Sequence, residues 1–197
     1  MPRADGSHTV AASGAGTTGI IRVFVSIPVP DTPDLQDLRR TLASAGARAS
    51  PPEQTHLTLS FIGDVDESKV KRIVECVRRS VDGFTPMEIT LSGLGAFPNE
   101  RRPSVVWTGI SPAGPIKAMA AKLEKNLTAA GIAHDGKPFK AHVTVARCRD
   151  SFMPPGVFDG TQRKVYCRFV FDEVLVMKSV LSPGGAKHSV LARIPLG

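Results

Sequence analysis

The sequence predicts an α+β fold, because segments with strand character alternate with three segments whose apolar residues recur at helical spacing. Of the 197 residues, 42% are hydrophobic and 22% are charged, which is typical of a soluble globular protein. This length suits one domain with a sizeable core and leaves little room for a second. We therefore expect a single ordered domain over residues 20–197, preceded by a flexible Gly-, Ala-, Ser- and Thr-rich leader over residues 1–19.

The first half of the ordered region predicts the order strand, helix, strand, helix. Residues 20–27 are rich in branched side chains and precede a Pro-Val-Pro break, so they predict a strand. Leucines at helical spacing predict a helix over residues 31–47. Polar and apolar residues alternate over residues 55–62, which predicts a strand that ends in a turn at Gly63. Branched residues at helical spacing then predict a second helix over residues 67–81.

The second half begins with two predicted strands, over residues 87–94 and 104–110, which an exposed basic loop over residues 96–103 connects. The apolar residues of segment 115–130 share one helical face and precede a glycine, so this segment predicts the third helix. Residues 141–146 predict another strand after a turn-rich connection. This part of the chain therefore predicts the order strand, strand, helix, strand.

The chain is predicted to end in a hairpin of two strands, residues 168–180 and 189–194, joined across a turn rich in Ser, Pro and Gly. His188 lies beside this turn, so we expect an exposed hairpin residue rather than a third catalytic imidazole. His134 lies in a turn of its own and receives the same interpretation. His8 lies in the leader and is assigned no role.

A short motif occurs twice, and both copies fall on predicted strands. Residues 56–59 and 142–145 share the pattern His, aliphatic, Thr, aliphatic. Because side chains alternate along a strand, the His and the Thr of each copy project from one face while the aliphatic residues anchor the other. A single copy is usually only a half-exposed polar pair, but two matching copies predict two imidazoles and two hydroxyls in one cleft.

This pairing of side chains suits the cleavage of a phosphodiester. One histidine can remove a proton from the attacking oxygen while the other protonates the leaving oxygen, and both steps are accessible near neutral pH. Threonine hydroxyls can donate hydrogen bonds to the non-bridging phosphate oxygens. Arg147, just beyond the second motif, is a candidate cation for the same phosphate. This chemistry needs no metal and no cofactor.

The charge of the chain also favours an anionic ligand. The formal net charge is +7, with a sequence pI near 9.7. Arg78, Arg79, Arg101 and Arg102 are candidates for guiding RNA, although such pairs are more often solvated surface. With one Trp, one Tyr and nine Phe, the chain has few rings for base stacking, which argues against extensive sequence-specific recognition of single-stranded RNA.

The cysteines and the hydropathy pattern bear on the compartment. Cys76, Cys148 and Cys167 are an odd number without a Cys-x-x-Cys pair, which argues against a disulfide framework and against a structural zinc site. No run of about 18 apolar residues predicts a membrane helix, and the leader lacks the apolar centre of a secretory signal. We expect a cytoplasmic protein that is not membrane-bound.

Five segments, in order and spacing, resemble the two-histidine phosphoesterase superfamily, and within it the RNA 2',3'-cyclic phosphodiesterase group historically called 2'-5' RNA ligases. The segments are RVFVSIPVP, HLTLSFIGDV, GAFPNERRPSVVWTGI, FKAHVTVARC and VLVMKSVLSPGG. The resemblance implies a bilobal α+β fold. Two pseudo-symmetric lobes of antiparallel sheet with flanking helices would each contribute one histidine motif to a central groove.

The resemblance also implies a role for each motif residue. His56 is expected to be the proton donor to the departing ribose oxygen, and His142 the proton acceptor that activates water. Thr58, Thr144 and Arg147 match positions that hold the phosphate. The implied activity is metal-independent hydrolysis of RNA 2',3'-cyclic phosphodiester ends, which leaves a 2'-phosphomonoester.

Two residues depart from the pattern of this family. The family often has a proline where this chain has Ala141, and a tyrosine where it has His188. Neither change removes a catalytic atom, so both bear on groove shape and substrate preference.

Two other functions remain open on the sequence. The reverse reaction would join a 2',3'-cyclic end to a 5'-hydroxyl end through a 2'-5' bond, although water should outcompete a scarce hydroxyl. A non-catalytic module would grip a terminal phosphate of RNA without turnover. The expected partner is RNA with a cyclic phosphate end or a small cyclic nucleotide, and the protein is expected to act as a monomer.

Overall fold

A computed structural model describes residues 19–150, 152–154, 156–183 and 185–197. Apart from Gly19, the predicted leader lies outside the described residues, as does His8. In chain order the strands are β1 (Ile20–Pro28), β2 (Arg48–Ala49), β3 (His56–Asp66), β4 (Met87–Phe97), β5 (Val105–Ser111), β6 (His142–Arg147), β7 (Val165–Phe171), β8 (Glu173–Ser182) and β9 (Gly185–Pro195). The helices are α1 (Pro33–Ser44), α2 (Val70–Val81) and α3 (Ala113–Ala129).

The strands form two antiparallel sheets, which confirms the predicted bilobal α+β architecture. The first sheet has the order β3-β1-β8-β9, and the second has the order β2-β6-β5-β4-β7. In each sheet, the motif strand pairs with a strand that lies on the other side of a helix in the chain. Strand β3 pairs with β1, which precedes α1, and β6 pairs with β5, which precedes α3. The two lobes therefore repeat one arrangement, with a motif strand and its partner strand in each sheet.

Helices α1 and α3 each connect two strands of one sheet but pack on the other sheet. Helix α1, which connects β1 to β3 in the first sheet, packs on β2, β6 and β7 of the second sheet. Helix α3, which connects β5 to β6 in the second sheet, packs on β3 of the first sheet and on α2. Their buried faces join one continuous apolar core that includes residues of both sheets. Each sheet is thus covered by a helix from the other half of the chain.

Local sequence signals explain where helix α1 begins and ends. The Thr32 hydroxyl oxygen accepts a hydrogen bond from the Leu35 amide at 3.4 Å, and Pro33 occupies the first turn. Leu35 and Leu42 face the core and are fully buried. Gly46, with φ +88°, follows the helix in the left-handed conformation that glycine adopts without strain. The helix is consequently shorter at both ends than the predicted 31–47.

The structure corrects two predicted boundaries. Residues 168–180 are not one strand, because the chain leaves the second sheet after β7, passes through Asp172 and enters the first sheet as β8. Gly63 is not in a turn either. It lies within β3 opposite Val23, with φ +83° at a bulge in the pairing with β1, so the strand continues to Asp66.

Candidate active site

Both histidine motifs line one cleft between the two sheets, with a volume of about 650 Å³. Such a volume lies within the ~300–1,000 Å³ range of small-molecule sites. His56 and Thr58 face this cleft from β3, and His142 and Thr144 face it from β6. The aliphatic residues between them are buried in the core, as the alternation along each strand predicts. The structure therefore brings together the four predicted motif side chains.

A β-bulge follows the threonine of each motif and changes which later residue faces the cleft. In β3, Ser26 pairs with Thr58 and Val25 pairs with Ser60, so the intervening residue is extra. In β6, the pairing skips Val145 in the same way. Because an extra residue inverts the alternation, the fifth residue after each histidine turns toward the cleft.

This shift explains why Arg147 lines the cleft although it stands three residues beyond Thr144. The same shift brings Phe61 to the equivalent place in the first sheet, where its side chain lines the cleft and is 55% exposed. Sequence reasoning identified Arg147 but missed Phe61, because strict alternation assigns residue 61 to the apolar face. The sequence did offer one signal for Phe61. It stands five residues after the first motif histidine, as Arg147 stands five residues after the second.

His56 is held by aromatic contacts and is largely shielded from water. Its ring stacks on Phe24 with centroids 4.9 Å apart, and the ring of His188 lies 5.4 Å away in an edge-on orientation. Burial, and to a smaller extent the charge of His188, lower the pKa of His56 to about 4, although a hydrogen bond with the Gln54 backbone acts in the opposite direction. His56 is therefore neutral near pH 7 when no ligand is bound.

His142 has a fixed orientation and a defined tautomer. Its Nδ1 lies 2.7 Å from the Lys140 carbonyl oxygen. Because a carbonyl can only accept, Nδ1 carries the hydrogen and donates it, which leaves Nε2 with a lone pair in the neutral ring. The rings of Phe97 and Trp107 flank the imidazole at centroid distances of 5.0 and 6.3 Å. This tautomer suits a proton acceptor.

His188 is not the exposed hairpin residue that its neighbourhood predicts. It lies in β9 opposite Ser179, its ring lines the cleft, and Phe24 lies 4.9 Å from it between centroids. Its Nδ1 is buried and has no hydrogen-bond partner among the described residues, and burial lowers the pKa of its ring. The prediction was wrong because β9 begins at Gly185 rather than at Ser189, so residue 188 is already paired within the sheet.

The arginines that line the cleft differ from those predicted to guide RNA. Arg78, Arg79, Arg101 and Arg102 are exposed but are not part of the cleft lining. Arg79 instead pairs with Glu75, and the backbone amides of Arg101 and Arg102 donate to the Asn99 side chain. The cleft contains Arg22 and Arg48 beside Arg147. Neither was singled out from the sequence, because each lies on a strand without a recognisable motif.

Trp107 supports the second histidine from the neighbouring strand. Its ring lies over Gly95 of β4, where any Cβ would overlap the indole. It also pairs across the strands with Thr144 and packs against Phe97 at 5.4 Å between centroids. Gly95 therefore makes room for the ring that flanks His142.

The described ranges contain no cluster of three or more His, Cys, Asp or Glu side chains arranged to hold a metal ion. Their helices are all too short or too polar to span a bilayer.

The sequence profile described as the 2'-5' RNA ligase superfamily matches residues 25–181, a stretch that includes both motifs. The chain belongs to the 2'-5' RNA ligase superfamily. A relative from Archaeoglobus fulgidus, an RNA 2',3'-cyclic phosphodiesterase, is 36% identical over 176 residues, which are 84% of this chain and 94% of the relative.

Two solved structures share the fold of the chain. A crystal structure of a Thermus thermophilus protein superposes with a TM-score of 0.74 at 26% identity, covering 89% of this chain and 98% of that one. The E. coli LigT structure complexed with 3'-AMP gives a TM-score of 0.65 at 23% identity, covering 90% and 99% of the two chains.

Proposed function

We propose that the protein hydrolyses RNA 2',3'-cyclic phosphodiester ends to 2'-phosphomonoesters by general acid and base catalysis. The observation that carries the proposal is the single cleft in which two His-x-Thr strands from different sheets meet. The fixed tautomer of His142 and the aromatic packing of His56 support separate roles for the two rings. The activity named for the Archaeoglobus relative agrees with this chemistry.

In the proposed reaction, His142 Nε2 accepts a proton from a water molecule whose oxygen forms the new bond to phosphorus. The bond between phosphorus and the ribose O3' breaks, and His56 gives its proton to that oxygen. The phosphate stays on O2'. Thr58 and Thr144 donate hydrogen bonds to the non-bridging oxygens, and the Arg147 guanidinium stabilises the charge that accumulates on them. No step needs a metal or a cofactor.

The donor role of His56 requires a protonated ring, whereas the pKa of His56 in the free protein is about 4. A cyclic phosphodiester brings a negative charge next to the ring. Because an opposite charge within about 4–6 Å favours the protonated form, substrate binding raises the pKa of His56. Substrate binding thus promotes protonation of His56, and His56 then gives this proton to the departing ribose O3'.

The decisive experiment is a turnover assay with an oligonucleotide that carries a 2',3'-cyclic end, in the presence of a metal chelator. We expect wild-type turnover, and at least a ~10²-fold loss of kcat/KM in His56→Ala and in His142→Ala, because each removes an acid or a base. His134→Ala is the matched control, since His134 lies outside the cleft lining. Full activity in either motif variant, or loss of wild-type activity in chelator, contradicts the proposal.

The same assay separates the two alternative functions. Adding an oligonucleotide with a 5'-hydroxyl end tests ligation, which passes through the same transition state in reverse. A 2'-5'-linked product would show that ligation competes with hydrolysis. Binding of the cyclic end without any product would instead identify a non-catalytic module.

We also propose that residues 20–197 act as one monomeric domain in the cytoplasm. Cys76, Cys148 and Cys167 are all free thiols, which suits a reducing compartment. One continuous apolar core beneath both sheets supports a single domain. Light scattering after size exclusion tests the oligomeric state.

A further inference from the structure

Two arginines stand directly opposite each other at the cleft. The short strand β2 pairs with β6 through only two residue pairs, Arg48 with Arg147 and Ala49 with Ala146. Both arginines are exposed, and both line the cleft. Two guanidiniums on neighbouring strands concentrate positive charge at this part of the cleft, and such a concentration of charge attracts anions.

The charges of the cleft indicate how many anions it accommodates. Among the described residues that line it, three are arginines and one is an aspartate, Asp64, which pairs with Arg22 at 2.9 and 3.1 Å. Counted over the arginines and the aspartate, the lining therefore carries a net charge of +2. A cyclic phosphodiester carries one negative charge, so the terminal group of the proposed substrate balances only half of this net charge.

Arg48 is placed for the second anion by its contact with the opposite sheet. Its Nη2 lies 2.9 Å from the position that a Cβ of residue 185 would occupy, so the guanidinium lies against the backbone of Gly185 at the start of β9. The Gln54 amide donates to the Ala186 carbonyl at 2.6 Å, which fixes the chain after β2 to the same part of β9. The guanidinium of Arg48 therefore stands at the edge of the cleft, between the two sheets.

We propose that Arg48 binds the internucleotide phosphodiester that precedes the terminal nucleotide, while Arg147 binds the cyclic phosphate. The planar guanidinium is suited to this role, because it donates two parallel hydrogen bonds to phosphate oxygens. The inference rests on the proposed function and deepens it. The site prefers the end of an RNA chain to a free cyclic mononucleotide, because only the RNA end carries the second phosphate.

The test compares a cyclic mononucleotide with a dinucleotide that has the same cyclic end. The proteins are the wild type, Arg48→Gln and Arg48→Lys, with Arg78→Gln as the matched control for loss of one exposed arginine outside the cleft. The ratio of dinucleotide to mononucleotide kcat/KM is expected to exceed about 10 in the wild type and to fall about tenfold in Arg48→Gln. Arg48→Lys should restore part of the ratio, since it keeps the charge without the planar fork.

Binding of the 2'-phosphorylated mononucleotide and dinucleotide, measured by calorimetry, keeps the inference testable if the wild type shows no turnover. In that case the proposed function fails, and the affinity ratio alone decides the role of Arg48. The salt dependence of dinucleotide affinity should also weaken by about one counterion in Arg48→Gln. An equal loss on both ligands, or an unchanged ratio, overturns the inference.

Discussion

His56 and His188 form a pair of imidazoles in the cleft, with Phe24 in contact with both. Both motif histidines have a backbone hydrogen bond to the residue two positions earlier, but only His56 has a second imidazole beside it, whereas Phe97 and Trp107 flank His142. Burial, and then the charge of His188, keep His56 neutral in the free protein. The two motif histidines therefore have the same sequence pattern but different ring neighbours, and these neighbours lie far away in the chain.

Replacing His188 by Phe should raise the pKa of His56 from its value of about 4, because the charge of a second imidazole is removed while a ring remains. The value should stay below that of a solvated histidine, since burial is the larger cause. If His56 is the proton donor, kcat/KM falls as pH rises above the pKa of the free protein. The falling limb should consequently move to higher pH in His188→Phe.

The measurement is the pH dependence of kcat/KM in both proteins, with the pKa of His56 followed by NMR titration of its ring. His134→Phe serves as the control, because His134 bonds through Nδ1 to the Ile132 carbonyl and lies outside the cleft lining. An unchanged pKa of His56 in His188→Phe would contradict the coupling. A rate that instead rises through pH ~4 would exchange the acid and base roles of the two histidines.

At the scale of the strands, the bulges and the close packing of β4 on β5 determine where the motif side chains point. A bulge beside each threonine turns the fifth residue after the histidine into the cleft. Gly95 leaves space for the Trp107 ring, which in turn contacts His142. The positions of the motif side chains thus depend on bulges in the motif strands themselves and on a close contact between two neighbouring strands that carry no motif.

Gly95→Ala should therefore damage the site from the neighbouring strand. The added methyl group overlaps the Trp107 ring, and relieving such overlap in a packed environment costs about 1–3 kcal/mol. We expect a lower free energy of unfolding in urea, a changed Trp107 emission spectrum and reduced kcat. Gly114→Ala is a suitable comparison, since nothing lies within 4 Å of its added Cβ. Equal effects of the two substitutions would show that Trp107 does not need the space.

At the scale of the whole molecule, the crossing of α1 and α3 makes the two sheets depend on each other. Neither sheet is covered by helices from its own half of the chain alone, and one apolar core includes residues of both. Strands β3 and β6, which carry the two motifs, also pack against each other. The distance between the two motif histidines is consequently fixed by packing within the folded core and does not depend on a hinge between the sheets.

This architecture predicts that the two sheets unfold together. Trp107, the only tryptophan, reports on the second sheet, whereas far-UV circular dichroism reports on both. The urea midpoints of the two signals should coincide, as expected for a two-state transition. Separate midpoints would mean that the sheets are independently stable, and the single-domain proposal would be wrong.

Much of the site follows from local patterns, and the rest depends on pairing between distant segments. The faces of His56, Thr58, His142 and Thr144 are fixed by alternation along a strand. His188 depends on the register of β9 against β8, which no short segment of sequence specifies.

Strand boundaries show the same limit. Strand-like sequence lies on both sides of Asp172, although the chain passes there from one sheet to the other. Local periodicity indicates that a segment is extended, but it does not indicate which strand the segment pairs with. Arg22 and Arg48 escaped notice for the same reason, since only the assembled sheets bring them to the cleft.

The equivalent positions occupied by Phe61 and Arg147 have a consequence for how a ligand enters. With only the two His-Thr pairs, the pseudo-twofold cleft would accept a phosphate in two orientations related by half a turn, and either histidine would meet either oxygen. A flat apolar ring on one side and a guanidinium on the other break this degeneracy. Under the proposed function, we expect this asymmetry to give the substrate a single direction of approach, so that each histidine meets the same oxygen in every turnover.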